Sequence, residues 1–435
     1  MSTPSDSSWP FLNRVLFRFF FVYFCLYFNP LTFFAIIPGF SWLWDLVNYP
    51  IDLLVNFMNG RFFRIKDVLV PMGGSGDTSY GWALFYTHFL LAVGGAALWS
   101  ILDRRRSAYP KLYYFLGLGL RYTVAGIAFS YGILKVFAMQ MYFPNLSQLA
   151  TPLGDFLPMR FSWLFIGYST PYQVFSGIAE VLVALLLIWR NSALLGSLLS
   201  VGVFANVFML NMSYDIPVKI YSFHLLLASI YLVWQERERL IGFFLKNAPT
   251  FPSSVYTPIS RSTWFNVSRW VLKIFFLITS FGIVTYNYYE YRLQYHADLN
   301  KELPPVDPGI YHVELFVKNG DTIPESLADT LRWRDVIFDY NGAGSFSAND
   351  STFRMRYGRA YFDYRPDSLG TVLEWRKASW DSLPLVVFDM EIPGKGRMLL
   401  NGINQSDTLS LVLKKIPRHF PLSERQFHWL SESNR

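Results

Sequence analysis

Long apolar runs constrain this chain more than any other feature. Seven stretches approach the roughly twenty residues a helix needs to cross a bilayer core. They are Val15–Ile37, Trp82–Leu102, Leu112–Met139, Tyr172–Trp189, Ala193–Met212, Pro217–Val233 and Val271–Tyr288. In lipid the backbone must satisfy its own hydrogen bonds, so these runs predict a membrane α-helical bundle of about seven transmembrane helices. Of 435 residues 52% are hydrophobic and 16% charged, against about 25% charged in a soluble domain. Met1–Pro10 is polar and no small-residue cleavage site follows, so the first run reads as a retained span. Trp42–Met58 is amphipathic, as a helix lying in the interface would be.

Basic residues set the expected orientation. Arg14 and Arg18 stand at the first run, Arg104 to Arg106 between the second and third, and Arg190 between the fourth and fifth. Arg237, Arg239, Lys246, Arg261 and Arg269 lie between the sixth and seventh. Seven spans place all of these on one side, which the positive-inside rule makes the cytoplasm. The N-terminus is then cytoplasmic and the C-terminal part outside. The net charge of +7 and pI near 9.2 follow from these helix-end residues. With no basic stripe or stacking array, nucleic acid is excluded as a partner; the expected partner is the lipid bilayer. Cys25 is the single cysteine, so an intrachain disulfide or a Cys-x-x-Cys couple is excluded. The run Gly73–Thr78 in the first outer connection reads as a flexible loop more readily than as a phosphate cradle: it lacks the Lys-Ser/Thr ending of a P-loop and follows no strand.

Ionisable residues inside such runs mark candidate sites, because burying them in lipid is expensive. His88 lies about 9 Å along the second run from its outer end. Lys135 ends the third, Glu180 is central in the fourth, and His224 lies in the outer half of the sixth. Tyr131 and Lys135 share a helix face, as do Tyr172, Ser176 and Glu180, and Tyr221 with His224. With Asn206, Asn211, Asp215 and Lys219 these residues outline an outward-opening polar pocket. Lys135, Glu180 and His224 are its candidate catalytic groups; His88, Tyr131, Ser176, Asn206, Asn211, Asp215 and Lys219 are its lining. No metal site is expected. Each residue has a plainer reading. Lys135 alone fits a side chain snorkelling to the interface. For Glu180 a neutral carboxyl, a structural ion pair with Lys135 and a chemical role all stay open. His224 alone is more often a hydrogen-bonded core residue, and Asp215 to Lys219 also fits a simple helix start.

The stretch Arg121-Tyr-Thr-Val-Ala-Gly126-Ile-Ala-Phe129-Ser-Tyr-Gly132-Ile-Leu-Lys135 resembles the DoxX-like membrane family, with its Arg, spaced Gly and Phe, and Gly-x-x-Lys ending. Glu180, Asn211 to His224, Leu409 to Lys415 and Arg425 to Trp429 look like the long form of that family in Bacteroidetes-type bacteria, which has an appended β domain. The resemblance implies a multi-pass protein of the bacterial inner membrane with a periplasmic C-terminal domain. It implies quinol-linked sulfur or oxygen chemistry, often as an accessory subunit; the cofactor stays unknown, with quinone a candidate. Tyr131 to Lys135 with a following glutamate-bearing span is more weakly similar to vitamin-K-dependent carboxylase-like membrane proteins, which implies a base role for Lys135.

Near Glu290 the composition changes. Residues 1–290 form the bundle, 291–308 a linker stiffened by Pro304-Pro305, and 309–435 a β-rich domain. Tyr311–Lys318, Val336–Tyr340, Phe353–Tyr357, Arg359–Tyr364, Thr371–Arg376, Pro384–Glu391, Arg397–Leu400 and Leu409–Lys415 read as short strands. Asn319-Gly320, Asn341-Gly342 and Pro393 to Gly396 read as turns. The pattern predicts a small antiparallel, lipocalin-like barrel, either packed solid or holding a ligand. His312, His419 and His428 are too scattered for a metal site. Two functions follow as expectations: a redox or quinone-linked membrane component, or a non-catalytic anchor presenting the β domain to a ligand or an envelope protein partner.

Overall fold

The computed structural model describes the chain except residues 1–7, 30–38, 40–41, 72–75, 250–251, 259–261, 300–302, 327–331, 348–351, 405, 426 and 431–435. The end of the first expected span and most of the Gly-rich run lie outside the described residues. The chain divides into two compact units, residues 1–140 with 171–288, and residues 141–170 with 289–435.

The first unit is helical: α1 (Phe11–Tyr27), α2 (Trp42–Met58), α3 (Ser79–Leu102) and α4 (Pro110–Val136). Helices α5 and α6 belong to the second unit, described below. The first unit resumes with α7 (Thr170–Ile188), α8 (Ala193–Ser213), α9 (Lys219–Gln235) and most of α10 (Thr263–Leu299). Five of these, α3, α4, α7, α8 and α10, are long and apolar enough to cross a membrane. Helices α1 and α9 have 17 residues each, about 25 Å at the helical rise. Both enter the same apolar core, through Phe17, Tyr23 and Phe24 of α1 and Leu225, Ala228 and Tyr231 of α9. Helix α10 has 37 residues, about 55 Å and longer than a bilayer core is thick.

Arg18, one of the basic residues used for the expected orientation, has internal partners. Its guanidinium is buried, bonding the Tyr109 hydroxyl at 2.7 and 3.1 Å, Ser100 Oγ at 2.8 Å and the Asp103 carbonyl at 2.9 Å. Tyr109 in turn donates to Asp103 Oδ2 at 2.9 Å. A charge inside an apolar bundle is tolerated when its donors are met in this way, and here it ties α1 to the end of α3 and the start of α4.

The second unit is a closed antiparallel barrel. Its strands are β1 (Gly309–Lys318), β2 (Asp321–Thr322), β3 (Asp335–Phe338), β4 (Ala343–Phe346), β5 (Arg354–Arg356), β6 (Arg359–Pro366), β7 (Val372–Arg376), β8 (Val386–Gly394), β9 (Arg397–Asn404) and β10 (Asp407–Ile416). The ring runs β1-β3-β4-β6-β7-β8-β9-β10 and closes by β10 pairing β1; β2 and β5 hang off it. A register shift between Val313 and Leu315 turns Glu314 outward, where Arg397 and Lys414 pair with it. Of the two interiors left open, the packed one is realised. Trp375 is fully buried and stacks on Phe362 at 3.7 Å, and Trp333 stacks on Phe346 at 3.9 Å. Phe338, Phe388 and Leu400 complete that core.

The connection 141–170 packs with the barrel rather than with the helices it joins. Short helix α5 (Leu146–Leu149) starts on an Asn145–Gln148 capping box. The Asp339 carboxylate accepts from the Leu146 amide at 2.7 Å and the Ser147 hydroxyl at 2.5 Å. Ser345 Oγ donates to Ser147 Oγ at 2.7 Å, and Arg359, paired with Asp335, donates to Ser345 at 2.9 Å. Burial raises the Asp339 acid to about 6, against the pull of the Ser147 hydroxyl and the two amides. Farther along, Arg160, in α6 (Pro158–Tyr168), donates to the Tyr357 hydroxyl at 2.8 Å.

Candidate functional site

Lys135 and Glu180 meet. Helices α4 and α7 cross at Gly132 and Gly177, where a Cβ on Gly177 would lie 2.6 Å from the Gly132 carbonyl oxygen and 2.8 Å from Lys135 Cβ. Only hydrogen fits there, so the two backbones touch, as small residues allow in membrane helices. One turn along α4 and three residues along α7, Lys135 Nζ lies 2.7 Å from both Glu180 oxygens. Both residues are buried, at 9% and 3% exposure. Lys135 therefore spends its charge on a partner within the bundle; snorkelling is not needed to satisfy it. Its ammonium also lies 5.8 Å from the Tyr131 ring centroid.

His224 heads a second polar group. Its Nδ1 is 2.6 Å from the Ile220 carbonyl, which can only accept, so Nδ1 carries the proton. Nε2 therefore accepts from the Tyr23 hydroxyl at 2.5 Å. Tyr27 stacks on the imidazole at 3.5 Å. The Tyr221 ring is 6.5 Å from that of Tyr131, and Tyr221 precedes His224 by three residues on α9. His88 is buried on α3, three residues after Phe85, whose ring centroid lies 5.7 Å from that of His224.

The remaining candidates disperse. Asn211 is buried and donates to Ser222 Oγ at 2.9 Å, closing the α8–α9 turn. Lys219 Nζ pairs with exposed Asp215 at 2.7 Å and lies 3.8 Å from Asp77. Asn206 is on an exposed face of α8. Ser176 is half-buried and donates to the Gln173 carbonyl at 2.9 Å on its own helix. The buried stripe of α7 is Gln173, Gly177 and Glu180, while Tyr172 is exposed; it keeps Glu180 of the expected stripe but replaces Tyr172 and Ser176 by the residues that follow them. Among the described residues, no three His, Cys, Asp or Glu side chains gather as a metal site.

Three contributors escaped the sequence reading. Tyr23 and Tyr27 lie in an aromatic-rich run where tyrosine carries no positional signal. Asp77 was read as part of a flexible loop. Its carboxylate accepts from the Lys219 and Ile220 amides at 2.7 and 3.0 Å, satisfying the start of α9. Asp215 had been read in that position. The cue was available: an acid in an outer connection facing a helix start that lacks a capping side chain of its own.

No family model matches the chain, and no solved structure matches it. Over 83 residues, 19% of this chain, it is 34% identical to an uncharacterized protein, YwoB, of Bacillus subtilis (strain 168). The match covers 54% of that relative, so the chain spans about half the length of the curated protein it matches.

Proposed function

We propose that the helical unit is a redox or quinone-linked component of a bacterial inner membrane, of the DoxX-like kind, with Lys135 and Glu180 at its proton-handling site. The observation that carries this reading is the buried two-oxygen ion pair between spans, with Tyr131 beside the ammonium and Tyr221, on the helix of His224, beside Tyr131. Lys135 is paired with Glu180 and is positioned to stabilise a developing anion, while the Tyr23 hydroxyl donates to His224. The N-terminus is cytoplasmic and the barrel periplasmic in this reading. Support for a barrel outside comes from the connection between α4 and α7, an expected outer loop, packing with it. The test is quinol-dependent electron transfer in membranes carrying wild type, Lys135→Ala or Glu180→Gln, with extraction of quinone from the purified protein. Loss of transfer in both variants and quinone retained by wild type are expected. Full activity in both variants with no quinone retained refutes the proposal.

A second reading treats the barrel as a surface for an envelope protein partner. The filled interior favours it, because a packed barrel can bind only through its outside. Trp380 and Leu383 in the β7–β8 loop are 81% and 78% exposed. Photo-crosslinking from position 383 in intact cells should capture a discrete partner that Trp380→Ser loses; no specific adduct rejects this reading.

A further inference from the structure

Lys135 and Glu180 satisfy one another, and both nitrogens of His224 are bonded. His88 differs. It is 4% exposed, and neither Nδ1 nor Nε2 has a hydrogen-bond partner among the described residues. A neutral imidazole offers one donor and one acceptor. Burying both unpaired forfeits their hydration for nothing, and such groups in folded proteins call for a partner. Leucine at this position would incur no such penalty.

The side of α3 that carries His88 faces the interior. Phe85, three residues earlier, sets its ring at a steep angle to His224 with centroids 5.7 Å apart. Ala92, four residues later, is fully buried. Phe89 meets Phe19 of α1 at 5.6 Å. His88 therefore looks into the space shared by α1, α3 and α9. There the Tyr23–His224 pair has used its one hydroxyl proton, and the Tyr23 oxygen keeps accepting capacity. His88 makes no direct hydrogen bond to His224. What joins an unbonded imidazole to a phenol oxygen that can only accept is a group that both donates and accepts, which is an oxygen bearing hydrogen.

We propose that His88 anchors a second ligand site in the bundle, which holds a small neutral oxygen-bearing molecule between the His88 imidazole and the Tyr23–His224 pair. The site is separate from the Lys135–Glu180 pair and stands whether or not that pair serves a quinone. The oxygen belongs either to water or to the hydroxyl of a lipid-soluble molecule.

The test is solid-state NMR of the full chain in lipid vesicles with histidine ring nitrogens labelled. The chain has six histidines, and His88→Asn identifies the signal by its loss. The expected result is a hydrogen-bonded His88 ring whose N–H correlates with a second proton source. A correlation only to protons that exchange with bulk water identifies water; one that extends to carbon-bound protons of a non-protein molecule identifies an organic occupant. A free, uncorrelated imidazole overturns the proposal. Tyr23→Phe should weaken the correlation several-fold, and an unchanged correlation removes Tyr23–His224 from the site. His88→Leu supplies an independent reading: its thermal midpoint should fall if His88 is bonded, and a rise counts against the site. The wild-type spectrum decides the matter even if that variant fails to fold.

Discussion

Removing one member of the Lys135–Glu180 pair should cost far more than removing both. The two oxygens at 2.7 Å neutralise the ammonium within a bundle where both residues are nearly inaccessible. Glu180→Gln or Lys135→Met leaves a buried charge with no counter-ion, which costs about 3–5 kcal/mol. The double variant Lys135→Met/Glu180→Leu leaves none, and apolar replacements of similar volume are neutral or stabilising by about 1–4 kcal/mol. The coupling between the sites should therefore reach several kcal/mol, well above the roughly 0.5 kcal/mol within which independent sites add. Unfolding of the full chain in bicelles by steric trapping reads all four corners of the cycle. Additive single effects would refute the account of a mutually neutralised pair. The same four proteins separate structure from chemistry: a double variant that is stable but inactive assigns the pair a chemical role, whereas restored activity makes it a structural clamp.

Asp339 gives a pH signature. Its folded value of about 6 exceeds the roughly 3.9 of an unfolded aspartate, so the folded state holds the proton more tightly. That stabilisation, about 3 kcal/mol at most, is fully present below pH 4 and lost as pH rises through 6. Protection factors of residues 145–150 in the full chain, taken relative to intrinsic exchange at each pH, should rise on acidification, and Asp339→Asn should flatten the response; identical profiles contradict the assignment. Gly177→Ala drives a Cβ into the Gly132 carbonyl and should destabilise by about 1–3 kcal/mol. Gly202→Ala, with open space around it, should be neutral or stabilising by about 0.5–1 kcal/mol, as thermal melts in detergent would reveal. Trp375→Ala empties the barrel centre and should cost about 3–5 kcal/mol, seen as loss of exchange protection across β6 to β8.

Much of the architecture is legible because its signals are local. Apolar runs of fixed length mark the helices, and tight-turn residues mark the hairpins. Asn319-Gly320 and Asn341-Gly342 do adopt the left-handed conformation their turns need. Strand β4 was missed because Ala343-Gly344-Ser345-Phe346 has neither β-branched residues nor an alternating pattern. It belongs to the ring because Gly344 leaves space for the Phe362 ring, 2.5 Å from where a Cβ would sit. Phe353–Tyr357 reads as a strand by composition, yet only Arg354–Arg356 pair, as an arm on β6 outside the ring. The sequence boundary at 309 likewise left out residues 141–170, whose attachment rests on Ser147 meeting an aspartate 192 positions away.

By itself the sequence determined that this chain enters a membrane, that a β-rich unit follows, and that Lys135 and Glu180 are expensive residues in need of a reason. Hydropathy and helical period act over neighbouring residues, so one strand of text contains them. Only the tertiary structure decided which polar residues meet. Lys135 faces Glu180 because two glycines far apart in sequence let their helices touch, His224 is completed by a tyrosine from the first helix, and Asn206 stays on an outer face. Those outcomes depend on the rotation and crossing of helices about one another, which are set by packing between distant residues and leave no periodic trace in the chain.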